Sequence, residues 1–193
     1  NKWSFVTLQS PKAKTLPEYV ALRQSILAGG DFLDNRIDLE SNIVHSGKRS
    51  LKFYAVKPSV DMVTSKSHVE KNNLCFMKGD SIWFSGWYYI ANGMPSTLID
   101  FETRMAEGGP GMRLFIRNEK YASVESKFAD KPQYNQKETV FPFSKWVHIK
   151  MHIVLSEKAD GIVEMWQDGK KILSATGRTL PTAQTVYNSM EMG

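Results

Sequence analysis

From Lys145 to Leu173 the chain reads KWVHIKMHIVLSEKADGIVEMWQDGKKIL, alternating apolar and polar residues. The alternation stops at Asp160-Gly161, resumes, and stops again at Asp168-Gly169. Period two sets Val147, Ile149, Met151, Ile153 and Leu155 on one face of a strand, and Trp146, His148, Lys150 and His152 on the other. Asp-Gly accepts the positive φ angles of tight hairpin turns. This segment therefore reads as an antiparallel hairpin with one face buried and the other wet.

The same style runs through the middle of the chain. Ser50 to Val56 alternates, Met62 to Glu70 is polar but β-leaning, and Leu74 to Met77 is a short apolar run before a Lys78-Gly79-Asp80 turn. Ser81 to Ile90 is rich in aromatic residues and reads as a strand ending at Asn92-Gly93. Thr97 to Arg104, Met112 to Arg117 and Ala122 to Phe128 follow, with a Gly108-Gly109-Pro110-Gly111 loop between the first two. The first forty residues are less regular: Leu16 to Leu27, with Pro17 near its start and Gly29-Gly30 beyond it, fits a short helix or an extended arm. Short strands with turns every eight to twelve residues indicate a β-sandwich or barrel. The 193 residues suit a single domain over 1–193, with 1–42 as an arm packed on it.

Several classes are excluded or disfavoured. No apolar run approaches the ~20 residues of a membrane span. No signal peptide is visible, and the start at Asn1 reads as a mature or trimmed N-terminus. The end at Gly193 reads as the middle or edge of a strand. The single cysteine, Cys75, excludes an internal disulfide and is expected to be buried as a small hydrophobe. A net charge of +5 favours polyanions in general. Without a basic run or a helix-turn-helix, nucleic acid is not expected as a partner. Phosphate loops, nucleophile elbows and dinucleotide glycine patterns are missing as well.

Sorting strands by parity gives an apolar list and a polar one. The polar list holds Trp83, Trp87, Tyr89, Asp100, Glu102, Arg104, Arg113, Phe115, Arg117, Glu125 and Lys127. Aromatic rings beside hydrogen-bonding charges suit sugars, whose C–H faces pack on the rings while charges bond the hydroxyls. Parity alone does not say which strands share a sheet. Asp100 and Glu102 lie on one side of a strand, about 7 Å apart by strand geometry, a spacing compatible with glycoside hydrolysis. An ion-paired ladder with Arg104 and Arg113 is the plainer reading of the same acids. His148 and His152 share a face about 13 Å apart, too far for one metal ion, and read as ordinary outer histidines.

In the order GKRSLKFYA, KSHVEK, KGDSIWFSGWYYI and KWVHIKMHIVLS…GIVEMWQDGKKIL, the chain resembles the concanavalin A-like jelly roll. More narrowly, it resembles the bacterial polysaccharide lyases of the heparin, alginate and glucuronan lyase type, over roughly Ser46 to Gly193. The resemblance implies an all-β jelly-roll sandwich of two antiparallel sheets with a short N-terminal arm. It further implies a secreted, periplasmic or cell-surface bacterial protein that binds an acidic polysaccharide and cleaves it by β-elimination. Where alginate lyases read Arg-Ser-Glu-Leu, this chain reads Lys66-Ser67-His68-Val69 followed by Glu70. The resemblance makes Lys66 a carboxylate partner and His68 a base or carboxylate neutraliser; it calls for a catalytic tyrosine, for which Tyr89 is the candidate. The polar list supplies the substrate-binding set: Trp87 and Tyr89 for ring stacking, Arg113, Arg117 and Lys127 for carboxylates or sulfates, and Asp100 and Glu102 for hydroxyls or for orienting the arginines, with Arg104 and Glu125 beside them. The family's Gln-x-His strand is replaced by Ile99-Asp100-Phe101-Glu102. Folds of this class often carry a structural Ca2+, the one cofactor left open; no Asp-x-Asp-x-Asp loop is present to hold it. A lectin-like binding module and a glycoside hydrolase using Asp100 and Glu102 are the alternatives. The oligomeric state is not specified.

Overall fold

The computed structural model of the chain describes residues 3–9, 15–28, 35–56, 65–103, 111–128 and 133–193. Arg104 and the loop glycines Gly108 and Gly109 lie outside the described residues. The chain divides into two compact units, Asn1–Glu70 with Gly193, and Lys71–Met192.

The first unit holds β1 (Phe5–Gln9), α1 (Leu16–Leu27), β2 (Arg36–Glu40), β3 (Ser50–Tyr54) and the start of β4 (Lys66–Phe76). The segment Leu16 to Leu27 is a helix, and the Thr15 hydroxyl caps it by accepting the Glu18 N–H at 3.4 Å. β2 and β3 form an antiparallel pair from Arg36↔Tyr54 to Glu40↔Ser50. β1 runs antiparallel to the start of β4, from Phe5↔Glu70 to Gln9↔Lys66. Buried Asn35 ties these pieces together. Its amide donates to Ser65 Oγ and to the Lys66 carbonyl, both at 3.0 Å, and its carbonyl accepts the Val56 N–H at 2.9 Å. An asparagine here spans three strand ends with one side chain, which no apolar residue can do.

The second unit is a jelly-roll sandwich of two antiparallel sheets. Its elements are β5 (Ser81–Tyr89), β6 (Ile99–Glu102), β7 (Met112–Arg117), β8 (Tyr121–Ser126), β9 (Gln133–Tyr134), β10 (Trp146–Val154), β11 (Gly161–Gln167), β12 (Lys170–Gly177) and β13 (Tyr187–Met192). The larger sheet runs β4-β13-β6-β7-β8-β9, and the smaller runs β12-β11-β10-β5. Alternate residues fill the space between them: Ile99, Phe101, Met112, Leu114 and Val124 from one side, Val147, Ile149, Met151, Ile153, Val163 and Met165 from the other. Each such side chain contributes about 2 kcal/mol through removal from water. The period-two reading of Val147 through Leu155 therefore matches the core face.

The two Asp-Gly breaks work differently. Asp168 and Gly169 have φ of 50° and 83°, the tight turn expected between β11 and β12. Asp160-Gly161 closes a longer connection and needs no positive φ there. Gly161 is required by space, because a Cβ would lie 2.5 Å from Thr179 Oγ1 and 2.6 Å from the Gly177 carbonyl. Cys75 corrects another expectation: it is exposed. Neighbouring Phe76 packs against the core, so alternation turns Cys75 outward, and its apolar surroundings in sequence were misleading.

Candidate functional site

In the first unit, β4 presents Lys66, His68 and Glu70 on one side by strand alternation, with Thr7 of β1 opposite His68. Lys66 is exposed, while His68 and Glu70 are buried. His68 Nε2 lies 3.1 Å from Glu70 Oε1, and the Thr7 hydroxyl donates to the same oxygen at 2.8 Å. A carboxylate so placed holds the imidazole's orientation and stabilises it when it takes up a proton. Sequence reading found His68 and Lys66 but gave Glu70 no role. Thr7, far upstream on a strand the sequence did not reveal, was missed.

In the second unit, the outer face of the larger sheet carries one continuous rung. Glu191 of β13, Asp100 of β6, Arg113 of β7, Glu125 of β8 and Gln133 of β9 are successive cross-strand partners. Arg113 pairs with Glu125. Lys127, nearly buried, reaches Asp100 Oδ1 at 2.5 Å and also pairs with Glu102. Arg117 Nη2 donates to the Gln136 carbonyl at 3.1 Å. Asp100, Glu102, Arg113, Arg117, Glu125 and Lys127 thus share one face, and the three cations are already engaged by the protein. Burial pushes the Asp100 carboxyl up to about 6, with Lys127 opposing and Glu102 and Glu191 adding to the rise. A carboxyl in that range carries a proton part of the time near neutrality. Lys127 supplies the positive charge between Asp100 and Glu102, so this pair does not fit a calcium ion.

Trp87 and Tyr89 are not on this face. They belong to β5, and with Trp83 they lie on the outer face of the smaller sheet. The single polar face read from parity is therefore two faces of a sandwich, because alternation fixes the side of a strand but not its sheet. On the smaller sheet, Tyr89 lies 5.5 Å from Trp146, and Trp83 and Trp87 stack on His152 and His148. Those histidines do lie on an outer face, but each is held under an indole.

The model of a family described as "Polysaccharide lyase" matches residues 14–192. Among curated proteins, none matches the chain. Of solved structures, the chain is similar to an endo-β-1,4-glucuronan lyase from the fungus Trichoderma reesei, with a TM-score of 0.69 and 13% identity over 100% of this chain and 83% of that one. Domain 4 of an extracellular arabinanase from Geobacillus stearothermophilus, solved with arabinotriose, has a TM-score of 0.54 and 10% identity over 98% and 72% of the two chains. The T. cruzi calreticulin globular domain has a TM-score of 0.54 and 9% identity over 82% and 73%. At these identities the likeness is one of fold, the concanavalin A-like jelly roll.

Proposed function

Because the chain belongs to the polysaccharide lyase family, we propose that it cleaves a uronic-acid polysaccharide outside the cytoplasm by β-elimination, with His68 as base. The observation that supports this reading is the buried His68–Glu70 pair. His68 takes the proton from C5 of the uronate, the C4–O bond breaks, a C4–C5 double bond forms, and the leaving oxygen takes a proton from solvent while the imidazolium returns one to solvent. Exposed Lys66, on the same side of β4, neutralises the uronate carboxylate and so makes the C5 proton more acidic. Glu70 holds the ring and stabilises the imidazolium formed.

The test is near-ultraviolet absorbance of the unsaturated product during incubation with polyglucuronate and alginate. His68→Ala is expected to remove at least about 100-fold of the rate, in the range of lost general-base catalysis. Glu70→Gln keeps the shape, loses the charge, and is expected to lower the rate less. A flat trace for the intact chain on every uronate polymer overturns the lyase reading. The lectin-like alternative is favoured by one observation, that Arg113, Arg117 and Lys127 are all engaged within the protein. It predicts retention of sugar without absorbance.

A further inference from the structure

Four of the chain's five tryptophans stand on the outer face of the smaller sheet: Trp83 and Trp87 on β5, Trp146 on β10 and Trp166 on β11. β5 and β10 pair so that Trp83 faces His152 and Trp87 faces His148. The Trp83 and His152 rings are 4.1 Å apart and tilted by 11°; Trp87 and His148 are 4.8 Å apart and tilted by 26°. Ser81 Oγ lies 2.8 Å from His152 Nε2, and Ser85 Oγ lies 2.7 Å from His148 Nε2. One arrangement, a serine bonded to a histidine that is stacked on a tryptophan, thus occurs twice. The copies are four residues apart, about 13 Å along the strand. The sequence shows the repeat as Ser81-Ile82-Trp83 and Ser85-Gly86-Trp87.

The charges around these rings are unequal. Lys150 Nζ stands 4.5 Å from the Trp83 ring centre and 5.4 Å from that of Trp166, and Lys171 stands 5.3 Å from Trp166. Of the carboxylates near them, Glu164 is taken up by Lys171 at 2.5 Å and His152 at 2.8 Å, which hold it below its ordinary range, and Asp168 accepts the His148 N–H at 2.9 Å. Trp83 is 54% exposed and Trp87 45%. Two indoles so exposed on the edge strand of a sheet, with Lys150 beside Trp83, mark a binding surface more than a solvated one.

We propose that this face is a second polysaccharide-binding surface, separate from the face carrying Asp100, and that it holds an anionic glycan chain lying along β5 and β10. A repeat on the protein suits a ligand that itself repeats. The indoles pack against pyranose C–H faces, the serine and histidine pairs bond hydroxyls, and Lys150 and Lys171 face carboxylates or sulfates. This surface retains a polymer and takes no part in breaking its bonds. The assignment draws on family membership for the class of ligand and is independent of the role given to His68.

The test is electrophoresis of the full chain through native gels containing polyglucuronate, alginate or a neutral glucan. Retardation by an anionic polymer is expected, and Trp83→Ala combined with Lys150→Gln is expected to weaken it about tenfold or more. Trp83→Phe should keep most of it, and unchanged thermal midpoints separate lost binding from lost folding. His68→Ala is expected to leave retardation intact, so failure of the lyase reading and failure of this one are distinguishable. Three results overturn the proposal: no retardation of the intact chain by either anionic polymer; equal retardation of the folded double variant; or a dimer by light scattering that the double variant dissolves, which would assign the face to a second copy.

Discussion

Asp100 is held in a position where burial works against its charge while Lys127 works for it, and burial is the larger effect. Its folded-state value of about 6 lies above the ordinary 3.8, so between those values the folded chain binds more protons than the unfolded one. The stability this group contributes is present below 3.8 and is lost as pH rises through about 6. Asp100→Asn should therefore become more stable relative to the native chain across that window, by roughly 3 kcal/mol at most. Urea unfolding of both proteins through the window checks this; parallel curves would show that Lys127 fully compensates the buried charge. Cys75 offers a second check at this scale. An aromatic disulfide reagent should modify it in the folded state as fast as a free thiol, since it is exposed. Of the first unit's site, His68 and Lys66 were legible because Lys66-Ser67-His68-Val69 stands where alginate lyases read Arg-Ser-Glu-Leu. The Thr7 hydroxyl was not, since its partner in sequence lies on another strand.

At the scale of elements, the strands with strict alternation and aromatic or β-branched content could be read directly: β5, β7, β10 and β11 follow the pattern closely. β1 and β2 were missed because Phe-Val-Thr-Leu-Gln and Arg-Ile-Asp-Leu-Glu are short and mixed. β4 was read as two pieces and is one strand of 11 residues. Ser67 to Glu70 are buried on both sides of the strand, so the first half lacks the alternation a reader relies on, and Asn73 with φ of 62° adds a local irregularity. The β7–β8 turn falls in the gap read between Met112–Arg117 and Ala122–Phe128, but its conformation carries no signal in the sequence. Asn118 and Glu119 both have positive φ, 49° and 57°, a conformation usually signalled by Asn-Gly. Glu119 bears that strain without a glycine's freedom, so Glu119→Gly should stabilise the chain by about 0.5–1 kcal/mol. Thermal unfolding reads the result, and a fall in midpoint would mean that the glutamate side chain contributes more than its backbone costs.

For the whole molecule, the net charge of +5 says less than its placement. On the larger sheet Arg113 and Lys127 are matched by carboxylates and Arg117 by a backbone carbonyl, while on the smaller sheet Lys150 stands over indole rings and has no carboxylate assigned to it among the ion pairs described. Polymer retention should accordingly depend on ionic strength. Raising salt from about 0.01 M to about 0.15 M, which shortens the screening length from roughly 30 Å to roughly 8 Å, should weaken retention of an anionic glycan severalfold while leaving aromatic stacking in place. Equal retention at both salts would mean that the rings act alone. The stacking of Trp83 and Trp87 on histidines has an optical consequence. Four of the five indoles stand on this one face, two of them stacked on imidazole rings, so the chain's intrinsic fluorescence is sensitive to what touches it. The emission of the unlabelled protein is thus a reporter of that face, with Trp3 as the one indole elsewhere.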